Sequence, residues 1–335
     1  MTKPTVFVHT SCHEIMSGKI AAYSLKRMSK NTDKFDVKII ELEHYPHLMK
    51  YHGYRCIRNK REAAWYNNVP QSFLPLRFIV PQLMGYEGKA VVIDPDIFAV
   101  ADIYELLTKD MGNKAVLARP IYSKNRVIGH NSSVMLLDCS KLQHWQWEKE
   151  IDEVFNKKRD LQEWISIQTE SRENIGELEE EWNHYDILNE HTKLLHNTTQ
   201  ITQPWKTGLL YDTSRLNNNV QGFARFGIEL VSSYQKIAKA PSKRKALKSM
   251  MQELLLQKER KLYRQHPDPN QENLFFSYLK EALLEGIISE DFIKQQINYK
   301  HIRKDIFEIL NKVNYSTENV LQRITKKTAK LHLQK

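Results

Sequence analysis

The sequence predicts an α/β sandwich: a largely parallel or mixed sheet flanked by helices, with a helical C-terminal extension. Three observations carry this. Over the first half, short apolar or β-branched runs alternate with segments of helical spacing. One of those runs ends abruptly in two aspartates, and sheets of this kind present their ligand crevice at the carboxyl ends of the strands. Beyond residue 219 the pattern turns helical.

In chain order, "TVFVHT" is a short strand and "SGKIAAYSLKRMSK" has the spacing of an amphipathic helix. "DVKIIELE" is a second strand and "FLPLRFIVPQLMG" a helix bounded or interrupted by prolines. "KAVVI" is the third strand, "DIYELLTKD" a short helix, and "KAVLARPI" and "SSVMLLD" two further strands. "KLQHWQWEKEIDEVFNK" reads as a helix, whereas 160–214 is polar and irregular. In the last third "HPDPNQ" is a turn between helices and Ser289 an N-cap.

The 335 residues, 41% hydrophobic and 10% aromatic, can bury a substantial core. No apolar run approaches the roughly 18 residues of a spanning helix. The start "MTKPTVFVHTS" lacks the apolar core of a signal peptide. Cys12, Cys56 and Cys139 are widely spaced and form no Cys-x-x-Cys pattern, which argues against a disulfide framework or zinc site and for a cytoplasmic home.

The net charge of +10 is uneven: residues 215–335 hold 23 Lys and Arg against 12 Asp and Glu, leaving −1 for the rest. The blocks "KIAKAPSKRKALKSM" and "RITKKTAKLHLQK" could meet an anionic membrane, making the protein membrane-peripheral, or nucleic acid. The alternative is a set of solvated helix faces and a frayed tail.

The chemistry centres on "GKAVVIDPDIFAVADIYEL", Gly88–Leu106. Residues i and i+2 of an extended segment point the same way, so Asp94 and Asp96 can converge on one cation. Mg²⁺ and Mn²⁺ favour oxygen ligands, and such an ion can offset charge on a departing diphosphate. Alternatively, Asp94 opens a turn and Asp96 is solvated. A third carboxylate, Asp102, follows a little further on.

The run "PLRFIVPQLMGYEGKAVVIDPDIFAVADIYELL" resembles the core of GT-A fold glycosyltransferases, most nearly glycosyltransferase family 8 and its bacterial relatives. "HNSSVMLLD" resembles the family's Asn-Ser-Gly-Val-Met-Leu strand, "HYDILN" its Asp-Gln-Asp-x-Leu-Asn, and "LLHNTTQITQPWKTG" its His…Lys-Pro-Trp ending. The matches run in the family's order over about residues 5–208.

The resemblance implies a Rossmann-type GT-A sheet and a nucleotide-sugar-binding catalytic domain over 1–214. A basic helical region over 215–335 would then face the acceptor or a membrane. It implies Asp94, Asp96 and His196 as ligands of Mn²⁺ or Mg²⁺, and Arg77 approaching the donor sugar or phosphates. Asn131 and Ser132 would line the sugar pocket, while His9, Thr10 and Ser11 would sit by the nucleotide base. Asp186 would orient the donor, and Tyr185 stands where the family has a Gln near the anomeric carbon. Gln203 replaces the Lys before Pro-Trp, with Lys206 able to supply the charge, and Ser133 replaces a Gly, narrowing the sugar pocket. The implied reaction moves a sugar from a nucleoside diphosphate, UDP foremost, to an unspecified acceptor, with retention of configuration as the family outcome.

Two other functions fit parts of the sequence. A nucleotidyltransferase can use a similar sheet and cation, but "VFVHTSCHEIMSGK" offers only Gly18 and Lys19 as a phosphate loop. A nucleic-acid-binding protein could use Arg225, Tyr234, Lys243–Lys245 and Tyr263, although no recognised module appears. Trp164 and Trp182 read as core anchors in a charged helical stretch, or as platforms for an acceptor sugar.

Overall fold

The computed structural model describes residues 2–69, 71–211 and 262–332, with side chains as far as residue 325. Its main sheet has six strands: β1 (Thr5–Thr10), β2 (Asp36–Glu41), β5 (Lys89–Ile93), β7 (Val116–Ser123), β8 (Arg126–Asp138) and β9 (Ile175–Glu177). Their order is β2-β1-β5-β8-β7-β9. β1 runs parallel to β2 and β5, while β8 is antiparallel to both β5 and β7. The architecture is therefore the mixed α/β sheet that the sequence predicts. A hairpin, β3 (Arg55–Arg58) and β4 (Arg61–Ala64), lies apart.

The alternation of side chains along a strand divides the interior in two. Val6 and Val8 of β1, with Val91 and Ile93 of β5, enter one hydrophobic cluster; Phe7, Ala90 and Val92 enter the other. Both faces of the sheet are covered, which is why "KAVVI" is apolar throughout rather than alternating. The first cluster contains α1 (Ile15–Arg27) and four late helices: α7 (Pro269–Leu284), α8 (Glu290–Asn298), α9 (Ile306–Lys312) and α10 (Thr317–His332). Phe275, Tyr278 and Leu279 of α7 are fully or almost fully buried there, and the Tyr278 hydroxyl donates to the Ala99 carbonyl at 2.5 Å. The second cluster holds α5 (Trp147–Phe155) and α6 (Leu161–Ile165).

Local chemistry explains most departures from the sequence reading. The segment expected as one helix around Pro75 and Pro81 is a 3₁₀ turn, Leu74–Ile79, followed by the short helix α3 (Val80–Leu83). Each proline sits at the start of its own segment, where a missing N–H does no harm. The two strands expected at 114–121 and 132–138 extend into a longer hairpin. Lys124 and Asn125, at φ 47° and 62°, make the positive-φ pair that suits a two-residue turn. Ser289 caps α8 as expected, accepting from the Phe292 N–H at 3.1 Å. The third carboxylate, Asp102, caps α4 (Ile103–Leu107): it accepts from the Tyr104 N–H and from Asn31 Nδ2, both at 2.9 Å.

Among the described residues no helix is long and apolar enough to cross a membrane. The basic block Lys236–Met250 lies outside the described residues, as does the 214/215 boundary. Trp164 and Trp182 are 1% and 2% exposed, so they are core anchors and not platforms for a sugar.

One buried acid loads the second cluster. Glu150 of α5 meets Arg159 Nη1 at 3.4 Å; among the described residues its other oxygen makes no well-formed hydrogen bond, with the Trp164 indole close by. Burial pushes its pKa up from the ordinary 4.5 to about 7. The folded chain therefore holds a proton that the unfolded chain releases, and this group's contribution to stability falls as pH rises from about 4.5 to 7. Glu150→Gln should raise the unfolding free energy by about 3 kcal/mol above pH 7, from that shift. Towards pH 4.5 the gain should vanish; denaturant titrations at the two extremes read the difference.

Candidate metal and donor site

Strand register assembles the site. Val8 pairs with Ile93, so His9 and Asp94 emerge side by side where β1 and β5 end. Ile93 pairs with Val134, and the Asp94 N–H donates to the Ser133 carbonyl at 3.0 Å, which places Asn131–Ser133 of β8 on the other flank. The chain then turns at Pro95 into β6 (Ile97–Ala99), part of a small sheet ordered β10-β11-β6. Here β10 is His184–Tyr185 and β11 is Leu194–His196. The antiparallel pairing of His196 with Ile97, closed by a 3.0 Å bond from the Asn197 N–H to the Asp96 carbonyl, carries a histidine 100 residues downstream to the aspartates.

One ligand atom from each of Asp94, Asp96 and His196 lies within 4.8 Å of the others. His196 Nε2 stands 3.3 Å from Asp96 Oδ1. Two carboxylates and an imidazole nitrogen in such proximity form a donor set that could hold a divalent metal ion.

The two aspartates differ in their surroundings. Arg77 Nη2 donates to both Asp94 oxygens, at 2.6 and 2.7 Å, and His9 Nε2 lies 2.8 Å from Oδ1. Burial alone would raise the Asp94 pKa, but the Arg77 charge, with help from His9, holds it well below the usual carboxylate range. Burial also depresses the pKa of His9. Arg77 is fixed in turn by Ser132 Oγ, which accepts from Nη1 at 2.6 Å and donates to the Ile165 carbonyl at 2.6 Å. Asp96 instead accepts from Gln203 Nε2 at 3.1 Å.

The other residues singled out in the sequence are placed as follows. His9, expected beside a nucleotide base, lies against Asp94. Thr10, the last residue of β1, and Ser11 just after it are fully buried. Ser132 holds Arg77, while Asn131 turns its Oδ1 to the backbone of Ser133 at 2.8 Å. Ser133, expected to narrow a sugar pocket, directs its hydroxyl to Asn131 and Asn183. Tyr185 packs against His196, ring centroids 5.6 Å apart, with the Arg119 guanidinium 4.0 Å from its ring.

Asp186 has φ of 50° and accepts from the hydroxyls of Thr198 and Thr199, so it organises the loop after β11. Burial would raise its pKa, yet His266 and those threonines bring it below the ordinary value. Lys206 pairs with Glu14, and the two line a cleft beside Asp96 with Phe73, Gln203 and Tyr263. Trp205 stacks on Phe275 at 4.9 Å and meets Phe98 edge-on at 5.6 Å, which ties the Pro-Trp segment to α7.

Two contributors were missed. Asn183 Oδ1 lies 2.8 Å from His196 Nδ1. Gln271 of α7 accepts from Asn197 Nδ2 at 2.6 Å and donates to the Asp186 carbonyl at 2.8 Å. Neither stands in a local pattern that would flag it. Of the candidate nucleic-acid residues, Tyr263 is buried against Tyr211, and Arg225, Tyr234 and Lys243–Lys245 lie outside the described residues.

No protein-family model matches the sequence. No curated protein matches it. Among solved structures, the glycosyltransferase GlyE of Streptococcus pneumoniae TIGR4 aligns at 15% identity and a TM-score of 0.44. That alignment covers 70% of this chain and 64% of GlyE, so the chain spans about two thirds of that relative. The galactosyltransferase LgtC aligns at 12% identity over 69% of this chain and 95% of its own, TM-score 0.41. Mouse xyloside xylosyltransferase 1 aligns at 14% over 58% and 98%, TM-score 0.39.

Proposed function

We propose that this chain is a metal-dependent glycosyltransferase that moves a sugar from a nucleoside diphosphate, UDP foremost, to an acceptor. One observation carries the reading: Asp94, Asp96 and His196 converge within 4.8 Å at the carboxyl end of β5. That is where α/β sheets place ligands, and the ligand chemistry is that of a cation bound together with a diphosphate.

Asp94, Asp96 and His196 would hold Mn²⁺ or Mg²⁺. When bound, such an ion supplies Lewis-acid stabilisation of the departing diphosphate. The chain's own contribution is positioning in a partly dry site. Arg77, braced by Ser132, fixes Asp94 and leaves Asp96 as the carboxylate turned to the Gln203–Lys206 cleft. The diphosphate would lie along that cleft beside Lys206, whose charge Glu14 offsets in the metal-free chain. Asp186, with Thr198 and Thr199, holds the loop that closes the site beside His196. The acceptor would enter by a groove between the start of β8 and residues 166–177, lined by His130, Ser166, Gln168 and Glu177. Retention of configuration is the outcome the family resemblance implies.

A panel of nucleotide sugars, each scored for Mn²⁺-dependent thermal stabilisation and slow hydrolysis, tests this. A UDP-sugar should stabilise the chain only with the cation present and should be released as free sugar. Silence across the panel, or salt-sensitive binding of DNA or RNA in its place, would remove the enzyme reading.

A further inference from the structure

A ring of buried polar groups behind His196 carries information that the three ligands alone do not. Asn183 is fully buried, and Ser133 and His196 are 4% and 6% exposed, so water cannot readily exchange their roles. The polarity of the ring can be read from its one fixed donor. The backbone N–H of Ser133 points at Asn131 Oδ1, 2.8 Å away, which identifies that atom as the amide oxygen. The Ser133 hydroxyl therefore donates to Asn131 Oδ1 as well, and its own oxygen accepts from Asn183 Nδ2 at 2.9 Å. Asn183 Nδ2 also lies 3.4 Å from Asn131 Oδ1, donor to acceptor.

Asn183 then has only its Oδ1 left for His196 Nδ1 at 2.8 Å, and an amide oxygen can only accept. Nδ1 must carry the hydrogen. The reverse orientation of Asn183 would set two amide oxygens 3.4 Å apart with no hydrogen between them. A hydroxyl turned from Ser133 to Nδ1, 3.4 Å away, would leave Nδ1 and Asn183 Oδ1 facing as two acceptors.

We infer that Ser133 and Asn183 are positioning residues that set the tautomer of His196, holding hydrogen on Nδ1 and keeping the Nε2 lone pair free for a divalent cation. This rests on the cation reading proposed above. It also gives Ser133 a reason to stand where the resembled family has glycine: a glycine has no hydroxyl to orient Asn183. Partners of this kind fix ring orientation and tautomer for metal-ligating histidines.

The test begins on the metal-free chain. Because Nε2 faces Asp96 Oδ1 at 3.3 Å, long-range ¹H–¹⁵N spectra are taken at alkaline pH, where the ring carries a single hydrogen; with the His196 signals assigned by their loss in His196→Gln, they should show that hydrogen on Nδ1 and Nε2 bare. Ser133→Ala frees Asn183 to turn and should give a mixture of tautomers, while Ser133→Thr, which keeps the hydroxyl, should restore the single form. Mn²⁺ affinity, read by its electron paramagnetic resonance signal, should fall several-fold in Ser133→Ala. Asn183→Leu should lower it by about 10–100-fold, the usual effect of removing such a partner. The single hydrogen found on Nε2 in the native chain, or Ser133→Ala changing neither tautomer nor affinity, overturns the inference. Tight Mn²⁺ binding with the wrong tautomer overturns this inference alone. The expected tautomer with no Mn²⁺ binding overturns the cation reading and, with it, the purpose assigned here.

Discussion

If the proposed function holds, Asp96→Ala is expected to lower nucleotide-sugar turnover by roughly 10³-fold or more while leaving the fold intact, because the interaction removed would be electrostatic stabilisation of a leaving group. The side chain is 16% exposed, and its polar neighbours are Gln203 Nε2 and His196 Nε2. Neither becomes an uncompensated buried charge when the carboxylate goes. Removing one of two adjacent carboxylates also relieves repulsion in the empty site, so thermal stability without cation should hold or rise. Activity and stability would then move apart, as they do where a site is built for function at the expense of the fold. The check is steady-state hydrolysis beside thermal unfolding, each with and without Mn²⁺. A variant that keeps the native cation response would remove Asp96 from the ligand set.

The sequence reveals the centre of this site and hides its supports. "KAVVI" followed by Asp-x-Asp is a local signal, because the strand, its end and the two carboxylates are contiguous. The role of Asp102 was also locally legible. An aspartate with Glu105 three residues on, before apolar residues, is a helix start, and it accepts from the Tyr104 N–H. Pairings across long separations were not legible. Lys206 meets Glu14 across 192 residues, and Asn197 meets Gln271 across 74. Such contacts follow from how sheets and helices stack, and composition or period says nothing of them. Ser133 shows the limit most clearly. As a letter it is a glycine replaced by something larger, whereas in space its hydroxyl orients an amide that local sequence gives no reason to place there.

The second large effect concerns Arg77. Arg77→Met should destabilise the metal-free chain by about 3–5 kcal/mol, the usual consequence of removing one member of a buried ion pair. Arg77 is 6% exposed, and its guanidinium spans both Asp94 oxygens, Ser132 Oγ and, more distantly, the Ile165 carbonyl. Methionine can fill much of the space but brings no charge, and lysine lacks the planar fork for two-point contact with a carboxylate. Asp94 would be left largely buried, with His9 against it and His196 within 4.8 Å but no fixed positive charge to pair it. A divalent cation can supply the missing positive charge, and whatever binds the folded state selectively stabilises it by mass action. Saturating Mn²⁺ should therefore raise the stability of Arg77→Met by more than it raises that of the native chain. The extra recovery is the diagnostic quantity, since a guanidinium that merely braced the loop around Ile165 would leave a defect no cation repairs. If Mn²⁺ adds the same increment to both chains, Asp94 is held by Arg77 for the sake of the fold, and the ligand set must be completed by other oxygens.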